Sequence, residues 1–193
     1  MPDCHIMRAS GCVLVKLLIT VALLAVGAEA FAQAKTSPGA GSAIVVVETE
    51  KGNFEFETYP NEAPKTVAHV LGQIQKRFYN GQRVHRVVAG FVMQFGDQQT
   101  RDMTKEKMWG RIDGPKVGVA EFSKLRRHTR GSLGLAHNGD ASKADTQMYV
   151  TLRNAPELDD KYVVFGKVIS GMDVVEKIRY ADRIVRVTVR EAK

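Results

Sequence analysis

The chain has 193 residues, a formal net charge of +7, 44% hydrophobic and 25% charged residues. That length permits one domain with a substantial core, and the balance excludes a disordered or collagen-like chain. The basic residues are scattered apart from a cluster at Lys124, Arg126, Arg127, His128 and Arg130. No nucleic-acid motif or aromatic interleaving accompanies that cluster, so it reads as a solvated face and no nucleic-acid partner is expected.

Arg8 and Lys16 flank an apolar run, Val13 to Val26, followed by the small-residue sites Ala28-Glu29-Ala30 and Ala32-Gln33-Ala34. This combination predicts a cleavable signal peptide over residues 1–34. The run is shorter than the ~20 residues of a membrane span, so no stable membrane insertion is expected after cleavage. Cys4 and Cys12 fall within that segment. The mature protein would then hold no disulfide and no Cys-ligated metal.

Residues 35–42 (KTSPGAGS) read as a flexible mature N-terminus, and a single folded domain is expected over residues 43–193. AIVVVETE from Ala43 is rich in β-branched residues. Lys51-Gly52 reads as a turn, and Phe54 and Phe56 then alternate with Glu55 and Glu57. The pair predicts a half-buried hairpin. Pro64 suits a helix start. Val67, Val70, Leu71 and Ile74 follow at helical spacing, with an end expected near Asn80-Gly81. Short strands are expected at 83–88 and 91–96. Further strands fit 131–135, 147–152 and 162–168, and a second helix 172–179. Val185, Val187 and Val189 alternate with polar residues in a closing strand. The stretch 98–124 carries no clear pattern. Strands dominate, two helices lie far apart and no βαβ rhythm appears. A closed antiparallel barrel capped by the helices is the economical arrangement, because closure removes exposed edges.

Several chemistries lack their motifs. There is no G-x-S-x-G elbow, no phosphate-binding G-x-x-x-x-G-K-[ST] and no dinucleotide fingerprint. His69, His85, His128 and His137 are not paired at metal-ligand spacing. No cofactor or metal is therefore expected, and a site would work by binding and electrostatics. The segment His85 to Asp97 (HRVVAGFVMQFGD) places Arg86 in an otherwise apolar strand. Strand alternation would put Arg86 with Val88 on one face and Phe91 with Met93 on one face. On composition alone Arg86 reads better as an outward charge on an edge strand, and Phe91 and Met93 as ordinary core.

HRVVAGFVMQFGD resembles the cyclophilin signature, whose usual form runs close to FHRVIPGFMxQGGD. EAPKTVAHV (Glu62 to Val70), the block Arg130 to Leu152 and the block Ala155 to Ile178 resemble further family blocks in the same order. The resemblance covers about Ala43 to Glu191. It implies an eight-stranded β-barrel with two helices and a monomeric peptidyl-prolyl cis-trans isomerase that acts on proline-containing polypeptides. It also implies roles for individual residues. Arg86 would be the central catalytic group, helped by Phe91 and Gln94. Phe91, Val92, Tyr149 and Leu158 would form the slot for the proline ring, and Gln94 and Gln147 would orient Arg86 and substrate carbonyls. Ala136 and the backbone of His137 would pair with the preceding peptide, and the Tyr162 hydroxyl would reach the groove.

The sequence departs from the family pattern at several positions. Glu157 stands where Trp or Phe is usual, which removes an aromatic wall and should weaken cyclosporin-type ligands more than catalysis. Val92 replaces Met, Ala89 replaces Pro, and His137-Asn138 stands where relatives carry other pairs. Tyr149 replaces Phe, adding a hydroxyl that wants a partner. Phe95 replaces a Gly, which predicts that this position does not need positive φ. The alternative to an isomerase is a proline-peptide binding module, or holdase, of the same fold with little or no turnover. The signal segment implies export, and the short loops favour a periplasm over the extracellular space.

Overall fold

The computed structural model describes residues 42–111 and 114–191. The expected signal peptide and residues 35–41 of the expected flexible N-terminus (35–42) lie outside them. Eight antiparallel strands form one sheet: β1 (Ala43–Thr49), β2 (Gly52–Thr58), β3 (Arg86–Val88), β4 (Val92–Phe95), β5 (Ser132–Leu135), β6 (Met148–Thr151), β7 (Val164–Ser170) and β8 (Ile184–Glu191). Their order is β3-β4-β6-β5-β7-β2-β1-β8. Helices α1 (Pro64–Gln75) and α2 (Met172–Lys177) and four short 3-10 turns complete the described residues.

The hairpin forms as its alternation requires. Val45 and Val47 of β1 face Phe56 and Phe54 of β2 across the ladder, and all four are fully buried. The turn is Glu50-Lys51, one residue earlier than expected, with Gly52 opening β2. Helix α1 starts at Pro64, whose missing N–H costs nothing in the first turn. Val67, Val70 and Ile74 are buried against the sheet. It ends at Gln75, earlier than the apolar pattern suggested, because Arg77 adopts φ 56° and turns Tyr79 into the core. The unpatterned stretch also contributes to the helix. Both Glu121 carboxylate oxygens accept from its first turn, at 3.1 Å from Lys65 N–H and 2.8 Å from Thr66 N–H, where a negative charge is favoured.

The sheet rolls into a half-barrel and does not close, which corrects the expectation of a closed barrel. Its edges are β3 and β8. They approach only through the isolated bridge Arg83↔Arg183 and bonds such as Val84 N–H to the Asp182 carbonyl, 2.9 Å, and Ile184 N–H to the Gln82 carbonyl, 2.8 Å. These contacts lie before β3 and at the start of β8, so no ladder continues from them. β3 is only three residues long, and further along β8 the Val187 N–H is met instead by the Asn80 side chain at 3.0 Å. Phe95 is in the core at 1% exposure and is not among the residues with positive φ, which belongs to the next residue, Gly96, at φ 115°. A Cβ at Gly96 would lie 2.2 Å from the Thr146 carbonyl oxygen. Glycine is therefore needed at the second position and not the first.

Candidate active site

Alternation along β4 and β6 divides their side chains between two environments. Met93, Phe95, Met148 and Val150 enter the core. Val92, Gln94 and Tyr149 face the other way, with Gln147 just before β6, and line a cavity of about 400 Å³. The register then sets one row across four strands. Arg86 lies opposite Gln94, Gln94 opposite Tyr149, and Tyr149 opposite Gly134.

The row carries a chain of amides. Asp145 Oδ1 accepts from Gln147 N–H at 2.8 Å. Gln147 Oε1 accepts from Gln94 Nε2 at 3.1 Å, and Gln94 Oε1 accepts from Arg86 Nη1 at 3.2 Å. Gln147 and Asp145 are buried, Gln94 is half-buried and Arg86 exposed, so the chain rises from the interior to solvent. One guanidinium N–H is thereby fixed. The other donors of the planar fork have no hydrogen-bond partner among the described residues, on a side chain that lines the cavity.

Behind the opposite wall lies a second chain. Tyr149 is 4% exposed, and its hydroxyl is 2.9 Å from His128 Nε2. His128 Nδ1 is 2.9 Å from Asp159 Oδ1, which also accepts the His128 backbone N–H at 2.8 Å. The hydroxyl introduced by Tyr149 thus has its partner. Burial lowers the His128 pKa from 6.5 despite its hydrogen bond to Asp159, and burial raises that of the Tyr149 phenol. Burial also acts to raise Asp159, but its bonds from His128 outweigh that and hold the carboxyl low.

The structure brings Arg86, Phe91, Val92, Gln94, Ala136, His137, Gln147, Tyr149, Leu158 and Tyr162 together around the cavity. Four details differ from expectation. Phe91 precedes β4 and does not share Met93's environment. It sits in a tight turn, its N–H bonded to the Val88 carbonyl at 2.9 Å, with the ring half-buried at the slot while Met93 is in the core. The Ala136 N–H is committed to the Gln147 carbonyl at 2.9 Å. The His137 ring stacks on Tyr162, 4.4 Å between centroids, and its Nε2 meets the Lys161 carbonyl at 2.8 Å. Glu157 does not line the cavity. It pairs with Arg153 on the surface, and that guanidinium lies 5.1 Å from the centre of the Phe91 ring. A cation therefore borders the slot, and Glu157 supplies no wall to it.

Sequence reasoning missed Lys116, Lys143 and Asp145 in the cavity wall, and His128, Asp159 and Arg153 around it. The one available signal was the Tyr149 hydroxyl, which demanded a buried polar neighbour.

Comparison with known proteins gives a consistent result. Residues 44–192 match the family model described as cyclophilin type peptidyl-prolyl cis-trans isomerase/CLD. The chain is 38% identical over 141 residues to the peptidyl-prolyl cis-trans isomerase CYP23 of Arabidopsis thaliana, covering 73% of this chain and 62% of that protein. It is 35% identical over 144 residues to a probable peptidyl-prolyl cis-trans isomerase of Brucella abortus, covering 70% of each. The fold matches a Cryptosporidium parvum cyclophilin type isomerase crystallised in the presence of the dipeptide ala-pro. That match has a TM-score of 0.68 at 21% identity and covers 77% of this chain and 99% of that one. With the family pattern extending through the whole described domain, the chain belongs to the cyclophilin-type peptidyl-prolyl cis-trans isomerases.

Proposed function

We propose that the cavity accelerates rotation about X–Pro bonds in folding polypeptides, with Arg86 as the group that touches the reacting amide. The observation that carries this reading is the amide chain from Asp145 through Gln147 and Gln94 to Arg86 beside an apolar slot. Partial double-bond character sets a barrier of ~18–20 kcal/mol to C–N rotation, and X–Pro bonds exchange unaided in tens to hundreds of seconds. Twisting the amide concentrates a lone pair on the proline nitrogen. A guanidinium donor directed at that nitrogen stabilises the twisted form more than either planar one, and no covalent bond need form. Phe91, Val92, Tyr149 and Leu158 receive the proline ring, and the fixed fork of Arg86 needs little reorganisation.

The substrate class is proline-containing polypeptides, a reading supported by the Cryptosporidium parvum neighbour, whose crystals were obtained in the presence of ala-pro. Cyclosporin-type ligands would bind more weakly than to relatives with an aromatic residue in place of Glu157. The N-terminal basic, apolar and A-x-A features support an exported protein, which we read as periplasmic. Sequencing the N-terminus of the mature protein from a periplasmic fraction tests that part, and retention of residues 1–34 in the cytoplasm overturns it.

A proline-peptide isomerisation assay tests the activity. The wild type should shorten the exchange time, and Arg86→Ala should abolish most of the gain. Unchanged activity in that variant overturns the role of Arg86. The surface position of Glu157, which leaves the rim without its usual aromatic wall, favours one second reading, a proline-peptide holdase. In that case the wild type binds the peptide while exchange stays at the uncatalysed rate.

A further inference from the structure

His128 and Asp159 have no part in the chemistry just described, yet the chain they form ends on Tyr149, a wall of the slot. Its direction follows from elementary hydrogen-bond inventory. An ionised Asp159 only accepts, so His128 Nδ1 must carry the proton that faces it. Burial favours the neutral imidazole, which leaves Nε2 with a lone pair and no proton. The Tyr149 phenol keeps its proton and donates it to that lone pair. Each group therefore has one role: Tyr149 O–H donates to His128 Nε2, and His128 Nδ1–H donates to Asp159 Oδ1.

The tyrosine ring is held at both ends. Its backbone belongs to β6, paired with β4 and β5, and its hydroxyl is tied to a histidine whose side chain is 0% exposed. Between them the ring lies over Gly134. A Cβ there would meet the Tyr149 hydroxyl oxygen at 2.3 Å and Cζ at 2.4 Å. The glycine thus makes the space, and the histidine defines where in that space the ring rests. A ring without the hydroxyl would be located by packing alone.

We propose that His128, oriented by Asp159, is a positioning residue that fixes Tyr149 as the rigid wall of the slot, an inference that rests on reading the cavity as a proline-peptide groove. A wall tied in this way sets the width available to the proline ring without touching the substrate through any polar atom. Removing the histidine does more harm than removing the hydroxyl. It strands a buried O–H that must turn toward the cavity for a partner.

A rescue experiment separates this role from a merely structural one. Tyr149→Phe should lower kcat/KM about threefold, and His128→Leu, which strands the hydroxyl, about tenfold. The double variant should return to the level of Tyr149→Phe, because no hydroxyl is left to strand. A double variant that falls to the product of the two losses overturns the proposal. A second measurement does not depend on activity or on the folding of the leucine variant. Ring 15N shifts of His128 in the wild type should show a protonated Nδ1 and a hydrogen-bonded, unprotonated Nε2. In Tyr149→Phe only the Nε2 signal should move, toward that of a free acceptor. A protonated Nε2 in the wild type, or an unmoved signal in the variant, overturns the tether. An inactive wild type would instead sink the proline-groove reading, while the 15N result still decides the tether.

Discussion

Two polar chains converge on one cavity, and their bond lengths are similar: 3.1 and 3.2 Å from Gln147 through Gln94 to Arg86, 2.9 and 2.9 Å from Tyr149 through His128 to Asp159. Burial makes them different devices. The first emerges into solvent and ends on a permanent cation whose spare donors are available to a ligand. In the second, Tyr149 and His128 are buried and only Asp159 reaches toward the surface, beside Arg127, and the line ends on an aromatic face. Hydrogen bonds that deliver a charge and hydrogen bonds that hold a shape can therefore have the same geometry. What separates them is whether the terminal group retains unused donors.

The difference can be broken at either end. Arg86→Ala removes the one terminal group with spare donors, and kcat/KM should fall about a hundredfold while the melting temperature stays within about a degree. A smaller loss in a peptide isomerisation assay would place the catalytic electrostatics elsewhere. Gly134→Ala drives a methyl group into the tethered ring. It should destabilise the fold by about 1–3 kcal/mol and lower kcat/KM, read together by calorimetry and the same assay. If Tyr149 yields without either change, the second chain does not hold the wall. Gln94→Leu cuts the first chain in the middle and should lower kcat/KM about tenfold with little change in melting.

Acid provides a further test. His128 is surrounded by Asp159, Glu157, Arg127 and Tyr149, and the net effect, led by burial, lowers its pKa from 6.5. The unfolded chain then binds the proton more readily than the folded one. The stability that depends on neutral His128 is present above pH 6.5 and is lost as pH falls from 6.5 toward the depressed folded value. His69 and His85, also lowered mainly by burial, act in the same direction. Melting temperature should therefore fall as pH is taken from about 7 to about 5, with a shallower slope in His128→Leu. The smallest effect belongs to the rim. Glu157→Gln breaks an exposed pair with Arg153, and kcat/KM should stay within about twofold.

The fold was legible where one periodicity had one meaning. The Val45, Val47, Phe54 and Phe56 alternation and the α1 spacing each specify a single buried face. It was illegible where the pattern was right but its reference was missing. Alternation in β4 separates Gln94 from Met93 and Phe95, yet nothing local says that Gln94's side is a groove. That depends on pairing with β6, which lies far along the chain. Phe91 reads in the sequence as the start of a strand, whereas Ala89-Gly90 draws the chain into a turn that includes it. Closure failed as an expectation for a similar reason. The general advantage of removing edges does not say how long β3 will be. Of the site, Tyr149's need for a partner could be stated from its chemistry, but not that the partner was His128, held in turn by Asp159.

The open roll leaves one more problem for the chain to solve. β8 is an eight-residue edge, and Val185 and Val189 on it are 50% and 41% exposed. Such an edge invites a neighbouring molecule to add a strand. The Asn80 side chain occupies the Val187 N–H from outside, substituting for the backbone carbonyl that an incoming strand would offer at that point. Arg186 and Arg190, pinned across the sheet by Glu48 and Glu55, set positive charges beside the two exposed valines. An amide and two arginines thus stand along the open edge, where a capped N–H group and charged side chains disfavour the addition of a strand.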